Sequence, residues 1–210
     1  EGRRLSFASY LKYKHNDMES LEAVLKKIPY ESTKLIVMDG VFSMEGDIAK
    51  LPEIVALADK YNASVYVDEA HSLGVFGQEG RGICNHFGLT DRVDLIMGTF
   101  SKSLATIGGF IATDAETINF LKHHSRSYIF SASISPAATA SVIAALDVIK
   151  QEPERIKNLW EITNYSLSAF RSLGFEIGNT QTPIIPLYIR DMDKTFAITQ
   201  ELYEQGVFVN

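Results

Sequence analysis

The sequence predicts an α/β protein whose main body is a mostly parallel sheet covered by helices, followed by part of a smaller α+β region. Three observations lead there. Short apolar runs alternate along the chain with segments of helical periodicity, and strand–helix–strand alternation is the pattern of parallel sheets. The runs Ala63–Val67, Leu95–Thr99 and Gly109–Ala112 hardly alternate apolar with polar residues, as expected of strands covered on both faces. With 210 residues and 46% hydrophobic content, the chain can bury a core of ordinary size and begin a second one.

The elements follow in order. Asn16 and Asp17 offer an N-cap to a helix running to about Lys27, and Lys34–Met38 is a short apolar strand. Pro52 suits the first turn of a helix ending near Tyr61. Strands are expected at Ala63–Val67, Leu95–Thr99 and Gly109–Ala112, with a helix over Ala115–Ser127 and an Ala-rich helix from Pro136 to Glu152. Beyond Pro153, the residues Ile156, Leu159, Trp160, Thr163, Leu167 and Phe170 form one apolar helical stripe. Ile184–Ile189, Met192–Gln205 and Val207–Val209 then suggest strand, helix, strand. A domain boundary is expected near Pro153, dividing residues 1–152 from 153–210. The chain opens without an initiator Met and closes on VFVN where another strand is forming, so a piece of a longer chain is expected.

Composition narrows the function classes. A formal charge of −6 with no run of Lys or Arg argues against a protein that works by neutralising nucleic-acid phosphates. No apolar stretch approaches the roughly 20 residues needed to cross a bilayer, and the first residues lack a signal core, so an integral membrane segment is not expected and a cytoplasmic location is. Cys84 is the single cysteine. It cannot form an internal disulfide, it could give a zinc ion only one thiolate, and it is most simply a buried packing residue. No metal site is expected. His15 precedes a helix start and is counted as structural.

Four segments carry the candidate chemistry: DGVFSMEGD (39–47), VDEAHSLGVFGQEGRG (67–82), GTFSKSLATIGG (98–109) and YIFSAS (128–133). Asp68 and His71 lie three residues apart just past a strand, where ligands of parallel sheets bind. A carboxylate that keeps a pyridine-type ring nitrogen protonated turns that ring into an electron sink. The plainer view of the same pair is a turn-capping Asp and a surface His. The letters DEAH also occur in helicases, but no G-x-x-x-x-G-K-[ST] loop precedes them here. Lys102 follows a strand, and a lysine in a partly dry pocket becomes a nucleophilic amine able to form a Schiff base. Thr99 and Ser101 offer hydroxyls, and Gly98, Gly108 and Gly109 allow close backbone approach, a set suited to a phosphate. Alone, such a lysine is usually a surface residue. Together, these groups are the parts that a cofactor held through a lysine needs.

In residues, order and spacing the four segments resemble the α-oxoamine synthase family of fold-type I pyridoxal-phosphate (PLP) enzymes, over essentially the whole chain. The resemblance implies the aspartate-aminotransferase-like fold, with 1–152 part of the large PLP-binding domain and 153–210 the start of the small one. It implies that Lys102 holds PLP covalently, Asp68 pairs with the ring nitrogen and His71 bonds the ring hydroxyl. Thr99 matches the phosphate-binding threonine, with Ser101 assisting, and Ser43 a serine close to the ring. Ser131 and Ala132 match a pair reaching the phosphate of the neighbouring subunit in a homodimer with a shared active site.

The reaction implied joins an amino acid to an acyl thioester, on coenzyme A or a carrier protein, with loss of the free thiol and carbon dioxide, giving an α-amino ketone. Lys102, freed by the incoming amino acid, is the expected proton acceptor. GTFSKSLATIGGF, YIFSAS and VFVN look most like bacterial members that use serine and a long acyl chain; members joining alanine to a pimeloyl thioester come next, and glycine acyltransferases third. Some members are non-catalytic partner subunits, but these lack the lysine that Lys102 supplies. The family's upstream cofactor-stacking residue, upstream phosphate contacts and downstream carboxylate-binding arginine are expected outside residues 1–210, leaving the isolated piece inactive.

Overall fold

The computed structural model describes residues 6–209. Helix α1 (Met18–Leu25) starts where Asp17 accepts the Ser20 N–H at 2.9 Å and turns Leu21 and Leu25 inward. Strand β1 (Leu35–Asp39) leads to α2 (Leu51–Tyr61), which buries Leu51, Ile54, Val55 and Ala58, one stripe at helical spacing. Asn62, in the left-handed conformation, closes α2 and sends the chain into β2 (Ser64–Asp68). A short helix α3 (Ile83–His86) precedes β3 (Leu95–Thr99), and β4 (Gly109–Ala112) follows it.

These strands form a sheet in the order β1-β2-β3-β4. The first three are parallel, in the register Asp39 with Asp68 and Asp68 with Met97; β4 runs antiparallel, Thr99 facing Gly109. Ile36, Met38, Val65 and Val67 occupy one face and are buried, and the core also takes in Leu21 and Leu25 of α1, Leu51, Ile54, Val55 and Ala58 of α2, and Ile83 and Cys84 of α3. On the other face Leu35 and Val37 are 51% and 54% exposed. Thus the described residues cover β1 on one face, and β4, expected to be covered on both, is exposed at Gly109, Phe110 and Ala112.

Lys34 is 7% exposed, and its ammonium donates to the carbonyls of Pro29, Tyr30 and Ser32 at 3.0, 2.8 and 2.8 Å. A buried ammonium must find such acceptors. Here they come from the turn that feeds β1.

Three expectations are corrected. The helix foreseen over 115–127 is two, α4 (Ala115–His124) and α5 (Arg126–Ile129): Ser125 takes an extended conformation and its carbonyl accepts the N–H groups of Tyr128 and Ile129. Residues 184–189 and 207–209 join no ladder among the described residues. A backbone bond from Tyr188 N–H to the Glu176 carbonyl, at 2.9 Å, pairs the first run locally, and apolar character alone does not make a strand without a partner. The remaining helices are α6 (Pro136–Gln151), α7 (Glu154–Ser172) and α8 (Met192–Glu204). Glu152, preceding Pro153, leaves the helical conformation (φ −122°, ψ 62°) and separates α6 from α7.

The chain forms two compact units, 1–42 with 48–156, and 43–47 with 157–210. The second holds 43–47 through the Thr180 hydroxyl and the Gln181 N–H, which both donate to the Gly46 carbonyl, at 2.9 and 3.2 Å. Thr180 and Thr182 are fully buried within it.

Candidate functional site

The first unit brings candidate residues together at the carboxyl ends of β2 and β3. Along β2, Val65 and Val67 point into the core, and the next residue of that face, Glu69, is also buried; Ser64, Tyr66 and Asp68 take the half-buried face. The strand ends are sewn together by Gly40 N–H to the Asp68 carbonyl and Glu69 N–H to the Met97 carbonyl, both 2.8 Å. Beyond them the chain turns, with the N–H groups of Ser72 and Leu73 donating to the Glu69 carbonyl at 3.0 and 2.9 Å. Asp68 Oδ1 accepts the Ala70 N–H at 2.8 Å, so the turn-capping view of this residue holds. Its Oδ2 receives no hydrogen bond among the described residues and is left for another donor. Tyr66 has its phenol pushed up, first by burial and then by the Asp68 and Asp39 charges.

The second segment is a tight loop after β3. Phe100 N–H donates to the Gly108 carbonyl and Thr106 N–H to the Phe100 carbonyl, both at 2.9 Å. At its mouth the Thr99 and Ser101 hydroxyls lie 2.8 Å apart, and Thr99 Oγ1 also accepts the Ser101 N–H at 3.3 Å. Two hydroxyls, one backbone N–H and a glycine-lined approach are thus gathered at one strand end. Gly109 can be nothing larger, because a Cβ there would sit 2.6 Å from the Gly98 carbonyl.

One bond ties the two loops: the Ser103 hydroxyl donates to the Leu73 carbonyl at 2.6 Å. It packs against Gly74, where a Cβ would lie 2.6 Å from Ser103 Cβ. His71 on one loop therefore feels both Lys102 on the other and Asp68 on its own. Burial first, then the Lys102 charge, hold His71 below the usual imidazole range, while Asp68 acts in the opposite sense. Lys102 itself is exposed, and its ammonium has no hydrogen bond or ion pair among the described residues. The partly dry pocket foreseen for this lysine is not formed by these residues.

Thr99, Ser101, Lys102, Asp68 and His71 are therefore neighbours. Ser131 and Ala132 are exposed, in the segment that brings Ile134 against Gly108. Ser43 is exposed and belongs to the second unit. Cys84 is buried as expected, its thiol pushed up by burial and then by Glu69.

Glu69 is the residue that the motif reading passed over. It is 1% exposed, and its carboxylate accepts the Ile83 N–H at 2.7 Å, the Cys84 N–H at 2.8 Å and the Ser72 hydroxyl. Its signal was present in the alternation: residues 65, 67 and 69 share the buried face.

Comparison with known proteins agrees with this architecture. A family model described as aminotransferase class I and II matches residues 1–210. A serine palmitoyltransferase of Bacteroides ovatus is 65% identical over 210 residues, covering all of this chain and 53% of its own length. An 8-amino-7-oxononanoate synthase of Thermoanaerobacter pseudethanolicus is 45% identical over 209 residues, covering 99% of this chain and 53% of its own. Among solved structures, serine palmitoyltransferase from S. paucimobilis with bound PLP–myriocin aldimine superposes with a TM-score of 0.94 at 35% identity, covering all of this chain and 55% of that one. The chain spans about half the length of the curated relatives it matches.

Proposed function

Because this chain belongs to the aminotransferase class I and II family, on its α-oxoamine synthase branch, we propose that the protein is a PLP-dependent acyltransferase that condenses serine with a long-chain acyl thioester, releasing the free thiol and carbon dioxide. The observation that carries the reading is the joining of the two loops, which sets Lys102, His71 and Asp68 within electrostatic reach of one another beside the Thr99–Ser101 hydroxyls. The donor set fits the cofactor. Thr99, Ser101 and the Ser101 N–H suit its phosphate, and Asp68 Oδ2 is open to a protonated ring nitrogen. When bound, PLP supplies an electron sink for charge developing at the amino acid's α-carbon.

In this reading Lys102 holds the cofactor covalently and, once displaced by the amino acid, takes the α-proton on its amine. Its exposure suits a group that must be reached by substrate. Asp68 spends one oxygen on its own turn, which fixes the direction of the other. His71, kept below the usual imidazole range, is a neutral hydrogen-bonding partner for the ring hydroxyl at neutral pH. Residues 1–152 are assigned to the large cofactor-binding domain and 153–210 to the small one. Ser43 is assigned to the ring's surroundings, and Ser131 and Ala132 to the phosphate of a second subunit in a homodimer. The acyl group arrives on coenzyme A or a carrier protein. No helix among the described residues is long and apolar enough to cross a membrane, and a cytoplasmic location is part of the proposal.

A second reading, alanine with a pimeloyl thioester, is favoured by the 45% identity to an 8-amino-7-oxononanoate synthase. Glycine with a short acyl thioester follows it. Absorbance of the full-length protein with PLP separates them. A protonated lysine–cofactor band at about 420 nm is expected, absent in Lys102→Ala, and it should shift with L-serine but not with L-alanine or glycine. A shift with alanine or glycine instead replaces the serine assignment. No band at all removes the catalytic assignment and makes this a partner subunit.

A further inference from the structure

Glu69 sits beside Asp68 in sequence, yet it faces away from the candidate cofactor groups and into the core. Its surroundings aim three donors at one carboxylate. Two successive backbone N–H groups, from Ile83 and Cys84 at the start of α3, converge on its two oxygens at 2.7 and 2.8 Å, and the Ser72 hydroxyl completes the set. Two glycines make room: a Cβ on Gly82 would lie 2.5 Å from Glu69 Oε2, and one on Gly40 would lie 3.2 Å from it. The carboxylate thus fastens three pieces of chain, namely the end of β2, the Ser72 turn and the loop arriving from Gly80. His71 lies between Glu69 and Ser72, two residues joined both by that side-chain bond and by the Ser72 N–H to Glu69 carbonyl bond.

We infer that Glu69 is a positioning residue of the PLP site, acting through His71 and Asp68 rather than on the cofactor itself. This rests on the PLP reading above. A buried carboxylate fed by three donors holds its turn in one geometry, because any other arrangement strands a donor or an acceptor without a partner. The placement of His71 relative to Asp68 follows from that geometry. A glutamine at this position keeps the shape and loses the match, since its NH2 group would confront an N–H donor instead of accepting from it.

The test uses the full-length protein. Glu69→Gln and Ser72→Ala are compared with wild type for PLP dissociation constant, for the pH midpoint of the visible lysine–cofactor band, and for melting temperature. The expected result for Glu69→Gln is PLP binding weakened about tenfold or more by slight misplacement of its contacts, with a displaced pH midpoint. Ser72→Ala, which removes one donor, should move both readouts in the same direction by less. Restoring the carboxylate one methylene short, as Glu69→Asp, should recover part of the midpoint. If the variants melt earlier but keep the wild-type PLP affinity and midpoint, Glu69 is a fold residue only and the inference fails. Should Glu69→Gln not fold, Ser72→Ala decides: unchanged affinity and midpoint overturn the proposal. A wild-type protein with no band would instead sink the PLP reading itself, which keeps the two failures apart.

Discussion

The loops after β2 and β3 do related work by different means. The first is pinned from beneath by a buried carboxylate that fills its acceptor sites with N–H and O–H donors. The second is held by backbone bonds across its own neck and by one hydroxyl reaching its neighbour, with its lysine in solvent. A group that only has to be presented at a fixed place can be locked into the core. A lysine that, on the proposed function, binds, lets go and accepts a proton is better placed on a loop whose side chains remain accessible. The contrast teaches that the two loops are ordered by different devices and are tied to one another by the Ser103–Leu73 bond.

The strongest challenge to that contrast is at Gly82, whose φ of +99° and lack of space beside Glu69 should make the anchored loop intolerant of any side chain. Gly82→Ala is expected to cost about 3 kcal/mol in urea unfolding, from strain plus overpacking. At Gly88, which also has positive φ but nothing within 4 Å, the same change should cost only about 1 kcal/mol. Equal losses at the two positions would show that the packed carboxylate adds nothing. Next in size, Ser103→Ala removes the link between loops. It should lower stability by about 1 kcal/mol while reducing PLP affinity by more than that loss explains, as measured by cofactor titration against a melting curve.

A smaller effect tests the electrostatics. NMR titration should find the His71 imidazole below its ordinary range, raised in Lys102→Ala and lowered further in Asp68→Asn. The sign for stability follows: the unfolded imidazole, with an ordinary value of about 6.5, binds its proton first, so folding weakens as pH falls through that value and levels off below the folded one. The smallest effect lies far from the site. Glu22 is held down to about 2, first by its bond from Lys60 and then by those from Tyr61 and Lys26. Its contribution is present above the ordinary carboxylate value and lost as pH drops toward 2, and in Glu22→Gln that part of the acid-unfolding profile should flatten. Because the pair is exposed, the change should be slight.

Much of the β2 end was legible beforehand. A short run rich in Val and Tyr followed by D-x-x-H fixes a strand end and two side chains on it, and Leu95–Thr99 and Gly109–Ala112 came out with the bounds expected. Glu69 was overlooked because the motif drew the eye to its neighbours, though strand alternation places it inward. The antiparallel course of β4 could not be read, since pairing direction depends on the loop geometry of 100–108 and not on the four residues of the strand. The runs at 184–189 and 207–209 failed for a related reason: a ladder is a property of two segments, and hydropathy reports one. Ser125 escaped notice because a serine at helical spacing is compatible both with continuing and with capping, and backbone conformation decides.

The Lys34 ammonium, wrapped by three carbonyls of the preceding turn, resembles a cation in a crown ether more than a surface lysine. Such a host is tuned to a point charge with tetrahedral hydrogens. The flat, forked guanidinium of arginine does not fit converging oxygens of this kind, so exchange of one base for the other, harmless on most surfaces, would here dismantle the approach to β1. By the same token, an amine-modifying reagent should reach Lys34 only after this turn has opened, which makes that single side chain a built-in reporter of when the approach to β1 comes apart.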